Sequence, residues 1–157
     1  MQKECTAAYF SLGSNLGDRE RFLNEAIVRL EKEAGRVFVR SSFYETESWG
    51  FASAHLFLNM AVGVETELDP FALLEVCKQI EREMGRRQTE GESYEDRPID
   101  IDLLLYGMDE IKTPRLEVPH PKLHLRRFVL EPLLEIAPQV VHPVLGKTAE
   151  ELLIQYK

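Results

Sequence analysis

Cysteine is nearly absent from this chain: two thiols, Cys5 and Cys77, stand among 157 residues. They share no C-x-x-C spacing and have no histidine cluster beside them, which argues against both a zinc-ligand pattern and a disulfide framework. Positive charge is also short. Nineteen Lys and Arg face 27 Asp and Glu for a net charge of −8, and a surface of that sign disfavours nucleic acid as a partner. No apolar run reaches the roughly 18 residues of a membrane-spanning helix, and Met1 to Glu4 leads into a strand pattern instead of a secretory leader. The expected setting is therefore cytoplasmic, with neither membrane nor nucleic acid as partner. Common catalytic signatures are missing as well. Gly146-Lys147-Thr148 has the tail of a G-x-x-x-x-G-K-S/T phosphate loop, but Val141 occupies the place of its first glycine. H-E-x-x-H, G-x-S-x-G and G-x-G-x-x-G do not occur.

What is present suits an ordinary globular chain, 44% hydrophobic and 29% charged, long enough to bury a core as one domain over residues 1–157. Residues 7–12 read as a strand ending in the turn Gly13-Ser14-Asn15-Leu16-Gly17-Asp18, with Asp18 as the N-cap of a helix. From 19 to 34, Phe22, Leu23, Ala26, Ile27 and Leu30 recur at helical spacing, and Gly35 stops them. A second strand over 36–44, a loop over 45–56 and an alternating strand over 57–65 come next. Asp69-Pro70 opens a helix carrying Leu73, Leu74, Cys77, Ile80 and Met84 up to Gly85. After a polar loop over 86–96, residues 99–106 form another strand. The order β-α-β, loop, β-α-β predicts a ferredoxin-like α+β sandwich, an antiparallel sheet with helices packed on it. A C-terminal extension, with short helices near 126–135 and 148–153, covers part of the sheet's other face.

The last of these strands carries a charge problem. In Arg97-Pro98-Ile99-Asp100-Ile101-Asp102-Leu103-Leu104-Leu105-Tyr106, alternation puts Asp100 and Asp102 on one face and Ile99, Ile101, Leu103 and Leu105 on the other. Two like charges ~7 Å apart repel by about 2 kcal/mol at an effective dielectric near 20, so a cation belongs beside them. Two readings account for it. The acids lie on the solvent face of an edge strand, or cap or pair with nearby Arg and Lys for structural reasons; or they hold a divalent metal such as Mg²⁺, which takes hard oxygen ligands and recruits phosphates as further ones. Downstream lies a local cationic patch, Lys112, Arg115, Lys122, Arg126 and Arg127 with His120 and His124 among them, opposed only by Glu117. Such a patch on an acidic chain points to a small anionic ligand.

Gly13-Ser14-Asn15, Phe57-x-Asn59, Gly85-Arg86, Arg97-x-x-Asp100-x-Asp102-Leu103-Leu104, and Arg115-Leu116-x-Val118-Pro119-His120 ahead of Arg126-x-Phe128 occur in that order. In order and spacing the chain closely resembles the 6-hydroxymethyl-7,8-dihydropterin pyrophosphokinases of folate biosynthesis, over about residues 8–153. The resemblance implies transfer of pyrophosphate from ATP to the hydroxymethyl group of a reduced pterin, with release of AMP. It implies two Mg²⁺ ions on Asp100 and Asp102, and catalytic handling of phosphate by Arg86 and Arg97 beside them. Glu81, Arg97, Leu103, Arg115, His120 and Arg126 are the implied ATP contacts. Thr46, Glu47, Trp49, Phe57, Asn59 and Phe128 are the implied pterin contacts, with the two phenylalanines stacking on opposite sides of the ring. The partners implied are small-molecule substrates and the expected state is a monomer, with a homo-oligomer left open. The chain departs from the family pattern at Gln88, where many members carry a second loop arginine, and at Tyr94, which replaces a frequent tryptophan; Gly91 makes the loop about one residue longer. Two rival readings stay open on the residues alone: another Mg²⁺-dependent nucleotide-using phosphotransferase, and a non-catalytic ferredoxin-like binding module.

Overall fold

The computed structural model describes residues 4–46, 56–85 and 98–155. Strand β1 (Thr6–Ser14) leads through a turn, where Gly17 takes φ 69°, to helix α1 (Arg19–Glu33). The Asp18 side chain accepts from Arg21 N at 3.2 Å and so caps the helix as expected. Strands β2 (Arg36–Arg40), β3 (Tyr44–Thr46) and β4 (Phe57–Thr66) precede helix α2 (Pro70–Glu83). Asp69 caps α2 by accepting from Phe71 N and Ala72 N at 2.9 Å each, with Pro70 in the first turn, where its missing N–H costs nothing. Strand β5 (Asp100–Tyr106) completes the principal sheet.

The sheet runs β2-β4-β1-β5, every pair antiparallel, with β3 also on β4. This is the ferredoxin-like arrangement expected. Leu23, Ala26, Ile27 and Leu30 of α1, with Leu73, Cys77 and Ile80 of α2, pack on Phe10, Leu12, Met60, Val62 and Ile101 from one side. Each fully buried leucine there stabilises the fold by about 1.5–3 kcal/mol relative to exposure.

The other side is covered more fully than expected. A second core joins Tyr9, Leu104 and Leu105 to Val129, Leu130 and Leu133 of helix α3 (Arg127–Ile136) and to Ala149 and Leu152 of helix α4 (Ala149–Gln155). Between β5 and α3 the chain adds a small hairpin, β6 (Ile111–Lys112) with β7 (Glu117–Val118).

Three departures from the expected elements have local causes. Gly13 and Ser14 belong to β1 and not to the turn: Gly13 pairs with Asn59 on one side and Asp100 on the other. The stretch 36–44 is two strands, because Ser41 breaks the ladder. Its N–H donates to Ala61 O at 2.9 Å, while its hydroxyl accepts from Ala61 N at 2.9 Å, standing in for a backbone carbonyl. Finally, β5 does not alternate throughout. Phe10 pairs with Leu103 and Tyr9 with Leu105, leaving Leu104 as the extra residue of a bulge. Leu105 therefore lies on the second core with Leu104, opposite the face expected for it.

Candidate active site

Before the bulge the alternation of β5 holds. Ile99, Ile101 and Leu103 enter the helix-side core, and Asp100 and Asp102, both half-buried, take the opposite face. Their neighbours on that face follow from the register: Asp102 lies beside Ser11, and Asp100 beside Gly13. Across β1 the row continues to β4, where Gly13 pairs with Asn59 and Ser11 with Ala61. Asp100, Gly13 and Asn59 thus form one row over three adjacent strands. At strand spacing the outer two backbones are about 10 Å apart.

Gly13 is a residue whose part in this row its sequence context does not disclose. Its φ is not positive, so no turn requires it. A Cβ there would stand 3.0 Å from Asn59 Oδ1 and 3.6 Å from the Phe57 ring. Glycine lets both side chains lie over β1. Asn59, only 3% exposed, donates through Nδ2 to Thr46 Oγ1 at 2.6 Å, so Thr46 fixes the orientation of the amide. Thr46 itself pairs with Phe57 across β3 and β4. Three of the six residues expected at the pterin, Thr46, Phe57 and Asn59, are therefore brought together. Ser14, adjoining this row, carries a buried hydroxyl with no hydrogen-bond partner among the described residues.

The cationic side assembles around His120. Its backbone N–H donates to Leu104 O at 2.9 Å, so the bulge carbonyl holds the residue against β5. Nδ1 of its ring accepts from Lys122 N at 3.1 Å, which leaves the proton of the neutral ring on Nε2. Burial lowers its pKa to about 4; Arg126 and Lys122 push in the same direction and Asp100 opposes them. His120 is thus a neutral N–H donor at physiological pH, electrostatically coupled to both Asp100 and Arg126. The Arg126 guanidinium lies 5.7 Å from the centre of the Phe128 ring at the start of α3, so one contact links an expected ATP residue to an expected pterin residue. His124, nearby, has a buried Nδ1 without a hydrogen-bond partner among the described residues and meets His142 edge-on at 6.3 Å.

Two of the expected ATP residues have structural engagements as well. Glu81, buried on α2, reaches β5 from the helix side and accepts from Ile101 N at 2.7 Å, between the two aspartates. Burial raises the pKa of the neighbouring Cys77 thiol, and the Glu81 and Asp102 charges add to the rise. Arg115 is exposed, paired with Glu75 and stacked 5.6 Å from the Phe71 ring centre. Its hydrogen bond holds the Glu75 carboxyl below the usual range. Leu103 is buried in the helix-side core. Arg86, Arg97, Glu47 and Trp49 lie outside the described residues.

The model of the 7,8-dihydro-6-hydroxymethylpterin-pyrophosphokinase family matches residues 9–138. A 2-amino-4-hydroxy-6-hydroxymethyldihydropteridine pyrophosphokinase of Porphyromonas gingivalis is 49% identical over 137 residues, 86% of this chain and 92% of that protein. The protein of the same name from Bacillus subtilis is 46% identical over 134 residues, 85% of this chain and 79% of its own length. Among solved structures, an HPPK-DHPS of Plasmodium falciparum superposes with a TM-score of 0.77 at 20% identity, over 98% of this chain. This chain spans only 44% of that longer one, and the likeness is one of fold.

Proposed function

The chain belongs to the 7,8-dihydro-6-hydroxymethylpterin-pyrophosphokinase family, and from that membership we infer that it transfers pyrophosphate from ATP to the hydroxymethyl group of 6-hydroxymethyl-7,8-dihydropterin in folate synthesis, releasing AMP. The observation that carries the placement of this reaction is the row Asp100-Gly13-Asn59 across β5, β1 and β4. A polar amide suited to a pterin edge and a carboxylate suited to a phosphate-bound cation stand on one face, on strands whose backbones are about 10 Å apart, with a glycine as the floor between them. That separation lets a pterin read by Asn59 extend its hydroxymethyl group toward a phosphate held near Asp100.

In this reading Phe57 and Phe128 are the stacking surfaces of the pterin, each worth about 0.5–1.5 kcal/mol beyond the area it buries. Thr46 orients Asn59, and Glu47 and Trp49 complete the ring's edge through backbone groups. Asp100 and Asp102 are the metal ligands. Two hard-oxygen donors on neighbouring same-face positions fit Mg²⁺, whose remaining ligands are water and phosphate oxygens. When bound there, Mg²⁺ neutralises phosphate charge and polarises the phosphorus under attack.

His120, neutral, donates its Nε2–H to a phosphate oxygen without adding charge, and Arg126, Arg86 and Arg97 supply guanidinium forks for the rest. Glu81 acts on the nucleotide side through Ile101, whose amide it holds between the two ligands. Leu103 and Arg115 border the nucleotide. Of the two rival readings, another phosphotransferase predicts a different product and a binding module predicts none. Phosphorus NMR of the protein with ATP, Mg²⁺ and the pterin tests the activity: a pterin diphosphate with AMP is expected, whereas ADP with a pterin monophosphate, or unchanged ATP, would overturn it.

A further inference from the structure

Four hydrogen bonds converge on Glu135, a residue outside the substrate and metal contacts of the pyrophosphokinase reading. Its carboxylate accepts from Ser42 N at 3.2 and 3.0 Å, one bond to each oxygen. It also accepts from Ser42 Oγ at 3.1 Å and from the Tyr44 hydroxyl at 2.6 Å. The Tyr44 bond lowers the Glu135 pKa and pushes that of Tyr44 up to about 12. The donors and the acceptor belong to different walls of the same site. Ser42 and Tyr44 carry the chain from β2 into β3, where Tyr44 pairs with Asn59 and Thr46 with Phe57. Glu135 stands on α3, seven residues or about two turns after Phe128 and so on the same side of that helix.

Resting on the pyrophosphokinase reading, we propose that Glu135 is a positioning residue for the pterin: it locks α3, and with it Phe128, at a fixed distance from the β3–β4 wall that bears Thr46, Asn59 and Phe57. A stacked ring needs both faces at van der Waals distance at once. Loss of the lock loosens one wall against the other and leaves the aspartates of β5, on the far side of β1, where they are. Arg126, which precedes α3 and lies against Phe128, shares part of that loosening, so the effect should fall more heavily on pterin than on ATP.

The test is steady-state AMP formation by the wild type and by Glu135→Ala, Glu135→Gln, Tyr44→Phe and the double variant Tyr44→Phe/Glu135→Ala, with melting temperatures measured alongside. Glu135→Ala is expected to raise KM for pterin about fivefold, the order set by bonds between exposed groups, with a smaller rise in KM for ATP. Glu135→Gln, which keeps one carbonyl acceptor but loses the charge and the second acceptor oxygen, is expected to recover only about half of that loss. Tyr44→Phe should cost about threefold, and the double variant should be no worse than Glu135→Ala, as for two ends of one interaction. Unchanged pterin KM, equal rises in both KM values, or full additivity in the double variant would each overturn the proposal. Should Glu135→Ala not fold, the Gln and Tyr44→Phe variants carry the same test. A wild type that forms no pterin-dependent AMP would instead overturn the activity on which the proposal rests, so the two failures are distinct.

Discussion

Individual residues divide into those whose chemistry shows in the sequence and those whose role needs the third dimension. Asp100 and Asp102 are legible because two charges at period two inside an apolar strand have no inexpensive explanation. Asn59 and Phe57 are legible through the Phe57-x-Asn59 spacing that carries the family resemblance. Gly13 is not: a glycine near Ser, Asn and Asp looks like a turn, and only the pairing reveals that it clears space for Asn59 and Phe57. His120 is a further case, since its patch of positive neighbours is readable but its neutrality is not. In metal-free protein its ring should titrate near pH 4 by NMR, against about 6.5 for an exposed histidine. A midpoint at or above 6 would contradict the geometry described. The linkage has a definite sign. The unfolded chain takes up this proton near pH 6.5 and the folded one near 4, so His120 lowers stability progressively as the pH falls between those values. Replacing it with Gln should flatten that part of the denaturation profile.

Among the elements, the helices are the most readable, since Asp18 and Asp69 cap where side-chain chemistry says they should. The β5 bulge is hidden because Leu103, Leu104 and Leu105 are all apolar. With a core on each side of the sheet, a change of phase leaves no polar residue exposed to mark it. The second core is legible only in part: the short helical stretches after residue 126 are expected over some of that face, but nothing in their pattern says how fully they close over Tyr9 and Leu105. Both features matter to the site, since the bulge carbonyl of Leu104 holds His120. The pairing of β1 with β4 can be probed through its glycine. Gly13→Ala should leave the fold intact, because its backbone is not strained, yet push Asn59 aside by a few tenths of an ångström. Pterin affinity in calorimetric titrations should then fall about three- to tenfold, the loss of one or part of one hydrogen bond. Undiminished pterin affinity in that variant would remove Asn59 from the pterin site.

At the scale of the whole molecule, a ferredoxin-like sheet sandwiched between two helical layers places the ends of three strands beside one another, and the proposed chemistry is assigned to that row. The fold order is readable from alternating periods of strand and helix, and the family from the order and spacing of nineteen residues. No helix among the described residues is long and apolar enough to cross a membrane. The central claim is that the carboxylates of β5 serve pyrophosphoryl transfer. It is tested most directly by measuring AMP released per pterin consumed, in ATP and Mg²⁺, for the wild type and for Asp102→Asn. The account predicts one AMP per pterin for the wild type, no release without pterin, and a rate at least about 100-fold lower in the folded variant, as expected when several kcal/mol of charge stabilisation is lost. Production of ADP by the wild type, or turnover retained by Asp102→Asn, would contradict it.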